Sequence, residues 1–312
     1  LSNIVSSQAA DHAKYGGVIP ELASRLHQQN IVPIVELALE KAGIQMNTLT
    51  AIACTRGPGL MGALLVGYNF AKGLSLALSI PLIGVDHIQA HILAHFIEEP
   101  KPDFPFLCLV VSGGHTSLYH CVSPLELNVI GTTLDDAAGE AFDKTAKMLG
   151  LDYPGGPLVD QWASKGTRAK YAFPIPSVPG YNFSFSGLKT AILYFLQEKV
   201  LKEKDFRENN MADICLSVQD TIIKIVLQKL EKAALDLGIT NIALAGGVSA
   251  NSGLRLAVQE LCENRNWKAF IPDFQYCTDN AAMIACAAAF NFRQGRADRL
   301  NDAPYSRGNQ TN

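Results

Sequence analysis

An apolar strand, a glycine turn and a helix follow one another twice in this chain, far apart. "TAIAC" (50–54) is strand-like, "TRGPGLMG" turns, and an apolar helix follows; "NIALAGGVSANSGLRLAVQEL" (241–261) repeats the order. A strand that turns at glycine into a helix is a building unit of α/β folds. Its presence in both halves predicts two related α/β lobes with a cleft between them. At 312 residues the chain is long enough for both. "IEEPKPDFP", charged and proline-rich, places the boundary near residues 97–105. The expected lobes are therefore 1–103 and 104–312, with the last helix, near 279–295, closing the cleft.

Between these landmarks the pattern alternates. Residues 20–43 have helical periodicity with a break expected before Pro33. "IPLIGV" (80–85) reads as a strand, and a histidine-bearing helix follows it. In "FPFLCLVVSGGHTSLYHCV" (104–122) two apolar strands flank a hairpin turn, and "ELNVIGTT" reads as a third strand. Helices are expected over 137–150, after "DYPGGPLVD", and near 210–237, with a loop-rich stretch over 165–190. The run "GLMGALLVGYNFAKGLSLALSIPLIGV" (59–85) imitates a membrane span, but Lys72, Pro81 and several glycines interrupt it. It reads as a buried helix followed by a buried strand, so no membrane is expected.

A formal net charge of -3 advertises no polyanion ligand. Seven dispersed cysteines without a C-x-x-C argue against a disulfide scaffold or zinc ribbon and for a reducing compartment. No signal peptide is visible at "LSNIVSSQ".

Three motifs could carry chemistry. In "DHIQAHILAH" (86–95), His87, His91 and His95 recur every four residues, on one face of a helix. Such a pair can place two imidazoles on one metal ion, although spacing alone favours a set of half-buried helix histidines. The zincin pattern H-E-x-x-H needs glutamate at position 88, where this chain has Ile88. "VVSGGHT" and "ALAGGVSAN" each end an apolar strand in a Gly-Gly turn. Glycines let backbone N–H groups approach a phosphate, and two such turns facing across a cleft signal nucleotide binding. Neither is a Walker A or G-x-G-x-x-G motif. "LDDAAGEAFDKTAKMLGLDYPGGP" gathers Asp135, Asp136, Glu140, Asp143 and Asp152. These are either a solvated helix start or contacts to ribose hydroxyls and metal.

Together the runs "YGGVIPELASR", "GPGLMGALLVG", "HIQAH", "LVVSGGHTSL", "DDAAGEAFDKTAKMLGLDYPGGP", "FSFSGLKT", "LAGGVSAN" and "CTDNAAMIA" closely resemble one family. It is the tRNA N6-adenosine threonylcarbamoyltransferases, the bacterial TsaD family, formerly labelled O-sialoglycoprotein endopeptidases. The matches cover most of the chain in the family's order. The resemblance implies a two-lobed actin-like ATPase fold of the α/β class, similar to sugar kinases and Hsp70. It implies a divalent metal, usually iron with zinc or magnesium as alternatives, on His87, His91 and Asp279, with His95 outside the set. It implies nucleotide-side contacts from Val110, Val111, Ser112, Gly113, Gly114, Asp143, Gly156, Asp160 and Asn251. The family's opening strand carries an "E-[ST]-S-C-D-E-T" phosphate loop, and no such motif occurs here.

The implied reaction moves a threonylcarbamoyl group from threonylcarbamoyl-AMP to N6 of the adenosine 3′ of the anticodon in tRNAs reading ANN codons, releasing AMP. The implied partners are tRNA, threonylcarbamoyl-AMP and the companion proteins TsaB and TsaE. The expected compartment is the cytoplasm, or the mitochondrion for an organellar member. His115 is one candidate general base. Two other readings are a metallopeptidase, the family's old label, and a non-catalytic nucleotide-binding scaffold.

Overall fold

The computed structural model describes residues 1–307. Up to Glu99 it contains α1 (Ala9–Ala13), α2 (Pro20–Ala42), β1 (Ile52–Gly57), α3 (Met61–Leu78), β2 (Leu82–Asp86) and α4 (His87–Leu93). Then come β3 (Phe106–Val111), β4 (Thr116–Ser123), β5 (Glu126–Thr132), α5 (Ala138–Met148), α6 (Gly155–Ala163) and α7 (Ser186–Lys202). The remainder is α8 (Phe206–Asn209), α9 (Met211–Leu237), β6 (Asn241–Ala245), α10 (Ser252–Arg265), β7 (Lys268–Phe270), α11 (Phe274–Cys277) and α12 (Ala281–Arg293). The chain divides into two compact units, Leu1–Glu99 with Thr278–Asn312, and Pro100–Cys277. The division differs from the expected lobes at the C-terminal end. Residues 279–295 were expected in the second lobe, yet α12 packs on α4, β1 and β2 of the first unit. Small side chains in "AAMIACAAA" permit that close approach.

In the first unit, β1 and β2 pair in parallel, with Cys54 opposite Gly84. α2 begins with Pro20, whose missing N–H costs nothing there, and ends at Gly43 in the left-handed conformation. Contrary to the expected break, α2 runs through Pro33. Gln29 and Pro33 are both exposed, so water can take the carbonyl that the proline leaves unpaired. The apolar helix α3 is likewise less buried than expected. Only Leu64, Tyr68, Ala71 and Ser75 are buried, because α3 packs on α2 and β1 along one side. By length and composition α3 could cross a membrane; here that side lies against the unit's own sheet.

The second unit is built on a five-stranded sheet in the order β5-β4-β3-β6-β7. β3 and β4 form the expected antiparallel hairpin, while β3, β6 and β7 run parallel. Every residue of β3 is buried, as a central strand covered on both faces requires. α5, α6, α7 and α9 supply much of the apolar core around it, including Phe142, Val159, Leu188 and Val218.

Candidate functional site: a metal centre and a pair of glycine turns

α4 follows β2 without a linker. Asp86 ends the strand and caps the helix, its Oδ1 accepting from the amides of Ile88 (2.9 Å) and Gln89 (3.0 Å). That cap satisfies two of the N–H groups a helix start leaves orphaned. His87 is the first helical residue and His91 lies one turn on. Their rings meet edge to face, 4.8 Å between centroids.

Asp279, just ahead of α12, completes the cluster in the same unit. Its Oδ1 lies 3.2 Å from His87 Nε2 and 3.4 Å from His91 Nε2. The three donor atoms fall within 4.8 Å of one another, the one such group of metal-ligating side chains among the described residues. His91 is buried, and its Nδ1 has no hydrogen-bond partner among the described residues. Asp279 keeps 80% of its side-chain surface exposed, so the cluster opens to solvent on the carboxylate side.

The electrostatics run the same way. Burial works against a charged His87, but the hydrogen bond to Asp279 and the charges of Asp279 and Asp86 outweigh it and raise its pKa. The protein packed around Asp279 withholds part of its solvation although its side chain is largely exposed, yet the two imidazoles hold its carboxyl well below the usual range. Two ring nitrogens converging on one carboxylate oxygen fit a divalent cation: the donor set is two imidazoles and one carboxylate, with room left for other ligands. Ile88 is buried in the core, so position 88 offers the cluster no glutamate. His95 is buried and lies outside the cluster.

The two glycine turns stand in the other unit, side by side. They were expected to face one another across a cleft. Instead β3 and β6 are parallel neighbours, Val110 opposite Ala245, and both turns leave the carboxyl ends of one sheet. In open α/β sheets ligands bind at that end, where strand connections diverge. β3 is such a point, with the β4 hairpin on one side and parallel β6 on the other.

Val110 and Val111 are fully buried, so any contact they make to a ligand comes through backbone. Ser112 and His115 close the hairpin: Ser112 N donates to His115 O (2.8 Å) and His115 N to Ser112 Oγ (3.0 Å). Gly113 and Gly114 form the tip. A Cβ added at either would meet no atom within 4 Å, which leaves their backbone open to a ligand.

Two further glycines hold this turn: Gly139, passed over in the sequence, and Gly246, the first glycine of the second Gly-Gly turn. A Cβ on Gly139 would stand 2.6 Å from Ser112 O, and one on Gly246 would stand 2.5 Å from Val111 O. The signal for Gly139 was a glycine inside a helical pattern, which calls for a packing reason. Gly246, at φ 87, sits in a region that L side chains rarely adopt.

The remaining expected contacts make bonds within the protein. Asp143 Oδ1 accepts from the amides of Gly155 (2.9 Å) and Gly156 (3.1 Å), at the start of α6. Burial first, and the charge of Glu140, push its pKa up against those two bonds. Asp160 accepts from Ser252 N (2.9 Å) and Ser252 Oγ (2.7 Å), tying α6 to the start of α10. Asn251 is buried; it caps α10 through Leu254 N (2.8 Å) and donates to Gln219 Oε1 (2.8 Å).

Asp135, Asp136 and Glu140 of the acidic run also make bonds within the protein. Asp135 accepts from Phe185 N and Ser186 N at the start of α7, and Lys144 pairs with Asp136 (2.7 Å) and Glu140 (2.8 Å).

The sequence pattern of the family described as "TsaD: tRNA N6-adenosine threonylcarbamoyltransferase" matches residues 1–286. A tRNA N6-adenosine threonylcarbamoyltransferase of Christiangramia forsetii is 58% identical over 290 residues, covering 92% of this chain and 85% of that protein. One of Cytophaga hutchinsonii is 56% identical over 287 residues, covering 92% and 83%. One of Porphyromonas gingivalis is 53% identical over 312 residues, covering 98% and 91%.

Among solved structures, full-length HypF in a phosphate- and nucleotide-bound form superposes with a TM-score of 0.59 at 13% identity, over 87% of this chain and 42% of HypF. The component A of (R)-2-hydroxyglutaryl-CoA dehydratase from Acidaminococcus fermentans gives 0.51 at 13% identity, over 84% and 83%. These likenesses show the actin-like ATPase fold. The chain belongs to the tRNA N6-adenosine threonylcarbamoyltransferase family.

Proposed function

We propose that the chain transfers the threonylcarbamoyl group of threonylcarbamoyl-AMP to N6 of the adenosine 3′ of the anticodon in tRNAs reading ANN codons. The observation that carries this is the family match over residues 1–286. In the transfer, the adenosine N6 attacks the carbamoyl carbonyl carbon, the bond from that carbon to the phosphate oxygen breaks, AMP leaves, and N6 gives up a proton.

Each group of residues has an assigned task in this reading. The backbone of Ser112, Gly113 and Gly114 holds the adenylate phosphate, as fixed N–H donors do where negative charge gathers. Asp143, Gly156, Asp160 and Asn251 form the nucleoside side of the pocket. His87, His91 and Asp279 hold a divalent ion, iron(II) first, with zinc or magnesium as alternatives. When bound, such an ion supplies Lewis-acid polarisation and a template for oxygen ligands.

A net charge of -3 is not that of a lone tRNA binder. Companion proteins, TsaB and TsaE, are therefore assigned a share of the tRNA surface, and the cytoplasm is the assigned compartment. No observation favours the peptidase or scaffold readings, and Ile88 counts against the zincin form of the first.

The test combines the purified protein, its companions, threonylcarbamoyl-AMP and unmodified tRNA, read by nucleoside mass spectrometry. Threonylcarbamoyladenosine is the expected product. Peptide cleavage with no modified adenosine would overturn the assignment.

A further inference from the structure

We propose that Tyr305, on the segment Asp298–Ser306 that follows α12, is a positioning residue for the metal-ligand helix, acting through Asp86. The proposal rests on the reading of His87, His91 and Asp279 as metal ligands.

The segment is laid across the first unit as a strap and tied at many points. Asp298 N donates to Leu82 O (2.8 Å), and Tyr68 Oη donates to Asp298 Oδ2 (2.6 Å). Arg56 reaches Asp298 (3.3 Å) and donates from Nε to Ala303 O (3.1 Å). Lys72 Nζ donates to Asp302 O (2.7 Å), and Tyr305 N to Arg56 O (3.0 Å). Two strand glycines make room for it. A Cβ on Gly57 would stand 2.3 Å from Tyr305 O and 2.5 Å from its ring, and one on Gly84 would stand 2.2 Å from Asp298 Oδ2. The strands therefore accept the strap only because these two positions carry no side chain.

The strap ends on the metal helix. Tyr305 Oη donates to Asp86 Oδ2 at 2.7 Å. The other oxygen of the same carboxylate caps α4 at Ile88 and Gln89, and His87 is the next residue in the chain. One carboxylate thus joins the strap to a seven-residue helix carrying both imidazole ligands. A helix so short has little cooperative stability of its own, so its direction depends on its cap and packing. Groups that fix the orientation of metal ligands govern affinity although they never touch the ion.

The experiment uses cobalt(II) as probe, titrated into the metal-free protein and followed by visible absorption. Tyr305→Phe keeps the ring packed and removes only the hydroxyl. It is expected to bind cobalt about threefold to tenfold more weakly, with a shifted band, since it stands one step beyond a direct ligand partner. Tyr68→Phe removes a strap bond that touches neither Asp86 nor α4 and separates positioning from general loosening; its affinity is expected within about twofold of wild type. Asp86→Ala removes the carboxylate through which the phenol acts, so adding Tyr305→Phe to it is expected to cost little further affinity. Circular dichroism and thermal midpoints report folding.

Wild-type affinity and spectrum in Tyr305→Phe overturn the inference, as does equal weakening by Tyr68→Phe or a fully additive double variant. If the wild-type protein itself gives no cobalt spectrum, the metal reading fails and this inference with it.

Discussion

Gly139 lies so close to Ser112 that a Cβ on the glycine would stand 2.6 Å from the serine's carbonyl oxygen. Gly139 N also donates to that oxygen at 3.2 Å. The start of α5 is thus pressed onto the base of the turn whose tip is Gly113 and Gly114. The tip is held from behind and open in front.

This geometry separates two glycine variants. Gly139→Ala overpacks a contact that includes backbone, for which about 1–3 kcal/mol is the usual cost. It is expected to lower the thermal midpoint and to weaken adenine-nucleotide binding together. Gly114→Val meets open space, so the midpoint is expected to hold while binding is lost, because the side chain would occupy the phosphate's approach. Calorimetry with an ATP analogue, beside thermal denaturation, reads both. Unchanged affinity in Gly114→Val would leave the turn a hairpin and nothing more.

For the proposed metal centre, His91→Ala or Asp279→Ala is expected to remove most of the bound ion, since each deletes one of the three side chains that converge there. His95→Ala is expected to retain it, because His95 stands outside the cluster. Elemental analysis of the purified variants checks this. Full metal content in the Asp279 variant returns His87 and His91 to a structural role.

How much of this was legible beforehand depended on the range of each interaction. The spacing of His87 and His91 states that they share a helix face, because helix geometry is local. It does not reach Asp279, which only the family resemblance supplied. The Gly-Gly turns were visible as turns, but their being neighbours depends on β3 pairing with β6, and no local pattern encodes a strand partner. The acidic run from Asp135 to Asp143 was least legible. Those carboxylates are distributed by where the starts of α6 and α7 arrive in space, and a carboxylate that caps a distant helix looks in sequence like one that waits for a ribose.

Asp135 gives a pH test of that structural role. Burial would raise its pKa, but bonds from Phe185 N, Ser184 Oγ and Ser186 outweigh it and lower the pKa instead. A carboxyl with a lowered folded pKa contributes stability above its unfolded pKa and loses it as pH falls through the folded value. Asp135→Ala is therefore expected to be less stable than wild type at neutral pH, with the gap narrowing below the ordinary carboxylate range. Urea denaturation at a series of pH values reads the gap. A gap independent of pH would mean that the charge on Asp135 contributes nothing to holding α7.

Asp143 is the most discriminating residue, because its two oxygens have different prospects. Oδ1 accepts from Gly155 and Gly156, and among the described residues no donor is bonded to Oδ2. Alanine removes both, so a binding defect in Asp143→Ala could come from a loosened α6. Asparagine keeps an acceptor for the two amides and removes the charge. If Oδ2 receives a ribose hydroxyl, Asp143→Asn is expected to keep its thermal midpoint and lose about 1–3 kcal/mol of binding, the worth of a charge-assisted hydrogen bond. That is roughly tenfold to a hundredfold in affinity for threonylcarbamoyl-AMP or an adenine nucleotide. A 2′-deoxy or 3′-deoxy nucleotide should then bind wild type and variant alike, since the hydroxyl and the carboxylate are two ends of one bond. If Asp143→Asn binds the ribonucleotide as wild type does, Asp143 acts only as the cap of α6, and the ribose contact must be sought elsewhere in the second unit.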